Sequence, residues 1–274
     1  MIKKIFLIMS SFLLTIILSI LITLIIFNET ILNKKYILNK LEKNNFYQLT
    51  YYDITNNLKG YTIESGLEES IIDELIDYEK VRNDINIVID GIYDNSDIII
   101  DTNLINTKLT TIIDKKLKET NRVPTVEELA SIEVFVNTIL EEYENGIVYS
   151  HNLVSSIKNL SFTINKFIPN IMIILIITSF ILLLITMILS KKIKIMIKWI
   201  SIPVFATSIL FLLLNLLLEK EFQHILIINV IFSKLLISII NGIFNLFFKV
   251  GIILLILGFI GSIIGVERKK KKVF

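Results

Sequence analysis

The chain has 274 residues, 53% of them hydrophobic, with only 9 Gly and 3 Pro, and its mean hydropathy of +0.69 excludes an ordinary soluble globule, so much of its apolar surface must face lipid. The absence of cysteine excludes disulfides, thiolate metal sites, iron–sulfur clusters, cysteine nucleophiles and a lipidated N-terminal cysteine. A formal net charge of +2 conceals a strong segregation of charge along the chain.

The first apolar run, Ile5 to Phe27, carries no charge and exceeds the roughly 20 helical residues that cross a bilayer. It follows MIKK, as a secretory leader would, but a leader's apolar part is about 7 to 15 residues and ends at a small-x-small cleavage site. This run is longer and ends in LITLIIFNET, so residues 1–27 are expected to be an uncleaved transmembrane anchor. Residues 28–166 are expected to form a helical domain with a core of its own. Val81, Ile85, Val88 and Ile92 recur at helical spacing, as do Ile105, Leu109 and Ile112, and then Leu129, Ile132, Val136, Ile139 and Tyr143. Thr125 and Glu128 fit a capping box after Pro124, which predicts a helix over Val126 to Glu144. Gly66 and Gly146 read as helix stops. The stretch INIVIDGIYDNSDIIID also alternates as a strand would; helix is favoured, and a hairpin over Ile85 to Ile100 is the alternative. Leu153, Ile157, Leu160 and Ile164 continue at helical spacing, predicting one long helix into the next span.

Three further spans follow: residues 167–190, 199–218 and 250–266, all uncharged. Residues 191–198 form a basic loop between the second and third, and residues 267–274 a basic tail. Residues 219–249 are apolar but interrupted. Lys234, Ser238, Asn241, Asn245 and Lys249 fall within about 80° of one another at 100° per residue, the pattern of an interfacial amphipathic helix over Ile225 to Phe248. The segment is expected to lie along the outer surface or to re-enter partway before the last span, and packing of this stripe on the outer domain is the equal alternative.

Orientation follows from lysine and arginine near the span ends, which are depleted on translocated flanks. Lys3 and Lys4, then Lys191, Lys192, Lys194 and Lys198, then Arg268 and Lys269 to Lys272 fall on one side of a four-span chain, which is therefore expected to be cytoplasmic. The segment Asn28 to Ile168, with 23 acidic against 14 basic residues and a net of −9, is then extracytoplasmic. Gly251, Gly258, Ser262 and Gly265 share one face of the last span, and small residues let helix backbones approach closely. Packing against another span of the same chain is the favoured use of this face, and self-association through it is the alternative. Pro203 and Asn215 in the third span, and Pro169 and Asn170 at the entry to the second, are the other irregularities.

Residues that could carry chemistry are few. Glu68, Glu69, Asp73 and Glu74, and separately Asp90, Asp94, Asp97 and Asp101, could take Ca²⁺, but their order matches no EF-hand loop, and a solvated acidic face is the better reading. His151 and His224 are the only histidines and lack partners at zinc spacing. No HExxH, GxSxG, P-loop or GxGxxG is present. The spans contain no ionisable group, which argues against an intramembrane protease or a proton-coupled carrier. The ERKKKKVF tail is expected to hold topology and touch anionic lipid rather than nucleic acid. No catalytic, cofactor-binding or metal-ligating residue is assigned.

The stretch LNKKYILNKLEKNNFYQLTYYDITNNLKGYTIESGLEESIIDELI, from Leu32 to Ile76, together with EKVRNDINIVIDGIY and the Ile, Lys and Asn bias of an AT-rich genome, resembles uncharacterised four-span membrane proteins of clostridia and related low-GC Gram-positive bacteria. That resemblance implies a layout and no activity. The order of one span, an outer domain and three spans is also similar to permease subunits of the cell-division and lipoprotein-release class of ABC transporters. It implies a cytoplasmic surface that grips an ATPase, whereas only MIKK precedes the first span and the inner loop KKIKIMIK is very short. The expectation is an all-α, multi-pass, non-enzymatic envelope protein whose outer domain binds a protein partner or a signal, with a transport subunit as the alternative.

Overall fold

A computed structural model describes residues 2–65, 67–119, 123–148, 151–222 and 230–266. Among these the chain is helical throughout, in the order α1 (Ile2–Glu29), α2 (Lys34–Lys43), α3 (Phe46–Ser65), α4 (Ser70–Leu75), α5 (Tyr78–Asp94), α6 (Asn103–Glu119), α7 (Val126–Val148), α8 (His151–Ser190), α9 (Ile193–Phe222) and α10 (Val230–Ile264). The chain divides into two compact units, one of residues 1–37 with 164–274 and one of residues 38–163.

The first unit is apolar. Four helices, Ile2–Glu29, Ile157–Ser190, Ile193–Leu218 and Val230–Ile264, are long and apolar enough to cross a membrane, which makes the chain a multi-pass membrane protein. Their directions follow from side-chain contacts. Ser11 donates to the Trp199 carbonyl and Ser19 to the Thr207 hydroxyl, so α1 and α9 run parallel. Ser10, one position before Ser11, meets Leu182 and Thr186 of α8, and a Cβ on Gly251, Gly258 or Gly265 of α10 would strike Leu212, Phe205 or Lys198 of α9 in that order. α10 is therefore antiparallel to α9, and α8, joined to α9 by a tight turn, is antiparallel to it as well. This alternation brings Lys3, Lys4, Lys191, Lys192, Lys194 and Lys198 to one end of the bundle.

Two boundaries differ from the sequence expectation. The basic loop expected over residues 191–198 is a two-residue turn: Lys191 takes a left-handed φ of 53° and α9 begins at Ile193, because nothing in IKIMIKWI resists helix. The amphipathic segment and the last span, expected as separate pieces, are joined in one 35-residue helix, α10. FFKVGII contains no proline, and a single glycine costs a helix interior only about 1 kcal/mol, so no break forms at residues 248–250. Residues 225–229 of the expected surface helix, His224 and the basic tail from residue 267 lie outside the described residues.

In the second unit, α3, α5 and α7 pack on one another, α6 lies on α7, and α4 bridges α3 and α6. Val81, Ile105, Leu109, Ile139 and Tyr143 are fully buried, so the apolar stripes of α5, α6 and the later part of α7 form the core. In α6 the third stripe position is Ile113 rather than Ile112, one residue further round. The strand alternative over Ile85 to Ile100 is not adopted: Asp77 caps α5 by accepting from the Lys80 amide at 2.7 Å, and Asn95 ends it at φ 56°. The capping box of α7 forms, with the Thr125 amide on the Glu128 carboxylate at 2.8 Å and the Glu128 amide on the Thr125 hydroxyl at 3.2 Å. Gly146 does not stop α7, which runs on to Val148. A Cβ there would come within 2.6 Å of Ile54, so the glycine serves the close approach of α3. Gly66, the other expected stop, is outside the described residues, and α3 ends beside it at Ser65. The long helix expected into the second span is present as α8, 40 residues from His151 to Ser190.

Candidate functional site

Two features of the second unit and one of the first carry polar groups in places that need explaining. In the second unit an acid is buried at the junction of α5 and α7. Asp84 is 3% exposed and Tyr143 fully covered. The Tyr143 hydroxyl donates to Asp84 Oδ2 at 2.6 Å, and Lys80, one turn earlier on α5, donates to both carboxylate oxygens at 3.0 and 2.7 Å. Lys80 also donates to the Asp101 carbonyl at 2.7 Å and lies 5.8 Å from the centre of the Tyr143 ring. Burial, reinforced by the bond to Asp84, holds the Tyr143 phenol far above its ordinary range. The cluster therefore joins α5, α7 and the segment leading into α6 through one satisfied buried carboxylate. With Asp84 and Tyr143 buried and their polar atoms bonded to one another and to Lys80, its chemistry is that of an internal fastening.

The sequence reading missed Asp84 and Lys80, although a signal was there. Asp84 lies between Val81, Ile85 and Val88 on the apolar stripe, and an acid on such a stripe with Lys four residues before it predicts a buried ion pair.

The second feature is a groove of about 530 Å³ between α6 and the start of α7, within the size range of ligand sites. Leu67, Ile113, Leu117, Ile132 and Phe135 give it apolar walls, and Ser65, Lys116, Glu128 and Ser131 a polar lip. Lys116 reaches Glu68 at 3.6 Å. The groove exists because α7 outruns its partners. Its stripe begins at Leu129, but Leu129 is 51% and Val126 84% exposed, whereas Val136 and Ile139 are buried. The sequence thus foretold the stripe but not which turns of it would be covered. The arrangement suits an apolar side chain or chain segment of a partner, held at its margin by hydroxyl and charged groups.

In the first unit, hydroxyls form a seam between helices. Ser10 shares a hydrogen bond with Thr186 at 3.0 Å, Ser19 donates to Thr207 at 3.3 Å, and Ser11 donates to the Trp199 carbonyl at 3.2 Å. The last contact has a specific cause: Pro203 has no amide hydrogen, so the carbonyl four residues earlier, that of Trp199, loses its helical donor, and Ser11 of α1 supplies another. Asn215 donates to the Phe244 carbonyl at 3.1 Å, joining α9 to α10. The glycine face of α10 is taken by α9 of the same chain: a Cβ on Gly258 would lie 2.9 Å from the Phe205 backbone and one on Gly261 2.2 Å from the Ser201 hydroxyl.

The acidic residues singled out from the sequence do not assemble. Asp73 pairs with Lys59 at 2.8 Å, Glu68 with Lys116, and Asp101 caps α6 through the Asn103 amide. Among the described residues no three acids or histidines gather to hold a metal ion. Comparison of the chain with protein-family models, with curated proteins and with solved structures yields no match.

Proposed function

We propose that this protein is a non-enzymatic component of a bacterial cell envelope, in which the helical unit between the first two spans stands outside the cytoplasm and binds a protein partner or signal, as a sensor or assembly factor. The observation that carries the reading is the groove beside α7, an apolar recess of about 530 Å³ with a lip of hydroxyl and charged groups. The alternating directions of α1, α8, α9 and α10 support the sidedness, because they bring the flanking lysines to one end, the end that the positive-inside bias assigns to the cytoplasm. The net charge of −9 between residues 28 and 168 is in keeping with a translocated segment.

The test compares full-length tagged protein with its Ile132→Glu variant after extraction from membranes in mild detergent, with partners identified by mass spectrometry and folding checked by circular dichroism. A partner recovered at stoichiometric amount with the parent chain and lost with folded Ile132→Glu supports the reading. A partner retained equally by both places binding elsewhere. Recovery of a nucleotide-binding ATPase would turn the reading to a permease-like subunit, with Lys192 and Lys194 as the contacts to change next.

A further inference from the structure

We infer that the exposed face of α10 formed by Asn241, Asn245 and Lys249 holds the phosphate of an anionic phospholipid, at the end of the bundle opposite the lysine-rich turn. The inference rests on the four-span arrangement proposed above. These three residues, each four apart, fall within about 80° around the helix. All three are exposed, while Ile239, Ile243, Phe244 and Phe247 are buried, Phe247 against Phe27 of α1 and Phe211 of α9. None of the three side chains has a hydrogen bond or ion pair among the described residues. α10 has no Asp or Glu, α9 has none from Ile193 to Leu218, and residues 164–190 of α8 have none; the carboxylate that ends α1 at this level, Glu29, is exposed and makes no ion pair with Lys249. A cation and two carboxamides thus share one face of a membrane helix with their donors unspent, at a flank where lysine is normally depleted.

The level of Lys249 follows from the packing of α10 on α9. Gly265 lies against Lys198, and Lys249 is sixteen residues before Gly265, about 24 Å along the helix axis. Between these levels no helix of the bundle carries a charge. The slab is a little thinner than the ~30 Å hydrocarbon core, and lysines at both faces make up the difference by extending outward. That puts the Lys249 ammonium at the plane of the lipid phosphates.

The recognition chemistry is complementary. An ammonium offers three donors and each carboxamide two, and a phosphodiester presents only acceptors and a negative charge. A zwitterionic head brings its own cation to compete with Lys249. A phosphatidylglycerol head brings hydroxyls instead, which the carboxamide oxygens of Asn241 and Asn245 accept.

The experiment is native mass spectrometry of the full-length protein in detergent, titrated with phosphatidylglycerol or with phosphatidylcholine of the same acyl chains. The parent chain is expected to retain phosphatidylglycerol in preference, and Lys249→Gln to weaken one bound lipid roughly tenfold, the scale of one charge-assisted contact. Asn241→Ala with Asn245→Ala, which keeps the charge, is expected to weaken the same lipid less. Lys192→Gln, at the other end, leaves that lipid in place. Equal retention of the two lipids by the parent chain, or unchanged retention by Lys249→Gln, overturns the inference. Sidedness is read separately by a Ser238→Cys variant and an impermeant thiol reagent in intact cells. Protection there, with a lipid loss in Lys249→Gln, refutes the extracytoplasmic reading and leaves the lipid site standing.

Discussion

Ser11 and Pro203 show how far one residue's role depends on another in a membrane bundle. A carbonyl freed by proline in lipid must find a donor, and here it finds the hydroxyl of a different helix. Removing that hydroxyl by Ser11→Ala should cost about 1 kcal/mol, the usual worth of an interhelical hydrogen bond in a membrane. In a Pro203→Ala background the restored amide can bond the Trp199 carbonyl, so the same substitution should then cost close to nothing. A double-mutant cycle read by thermal unfolding in detergent decides it, and equal costs in both backgrounds would show that Ser11 acts in some other way. The buried acid makes a second residue-scale prediction. Tyr143→Phe removes one donor from Asp84 and should destabilise the second unit by about 1–3 kcal/mol. Asp84→Ala strands Lys80 and should cost more, about 3–5 kcal/mol, while Asp84→Asn falls between them by helical signal against denaturant. Asp84 was legible in principle, since it interrupts the α5 stripe. The Tyr143 hydroxyl was not, because Tyr143 fits its own stripe as an apolar residue and only the crossing of α5 and α7 reveals the partner.

At the scale of elements, what could be read was whatever depends on neighbours within four residues. The capping box at Thr125, the helix it starts and the stripes of α5 and α6 all belong to that class. Gly146 and the joined α10 do not. Gly146 has the composition of a stop, yet its use is the contact with Ile54 on α3, almost a hundred residues earlier. The Lys249 stripe has the composition of a surface helix, yet the chain continues as one helix because the local sequence offers no reason to break. The same distinction gives an element-scale prediction. Gly258 touches the Phe205 backbone, and a Cβ there would stand 2.9 Å from it, so Gly258→Leu should force α9 and α10 apart. A cysteine pair at Ser201 and Gly261, which face each other, should cross-link in the parent packing and do so much more slowly when Gly258→Leu is added. An unchanged rate would mean that the seam tolerates the bulk.

For the whole molecule, the fold class and the four spans were legible because lipid demands long uncharged helices, and length and hydropathy are sequence properties. The groove was not, because it arises from where α6 and α7 cease to cover one another. The second unit also has a pH dependence that follows from burial. The Tyr47 and Tyr93 phenols are pushed up to about 12, chiefly by burial, and Tyr143 is raised further by burial and Asp84. Each is an acid whose neutral form the folded state favours. The unfolded chain loses those protons from pH ~10 upward while the folded chain keeps them, so stability is intact below that value and falls as pH rises toward about 12 and beyond. Denaturant midpoints of the full chain measured from pH 8 to pH 11 should be level up to about 9.5 and then decline, and Tyr93→Phe should lessen the decline.

The central claim, that the helical unit works on the far side of the membrane from the lysine-rich end, is tested most directly by cysteine accessibility, since the chain has no cysteine of its own. Ser131→Cys on the lip of the groove and Lys192→Cys in the α8–α9 turn would each be treated with an impermeant thiol reagent in intact cells and after lysis. The account predicts labelling of Ser131→Cys in intact cells and of Lys192→Cys only after lysis. The reverse pattern would put the groove in the cytoplasm and contradict it.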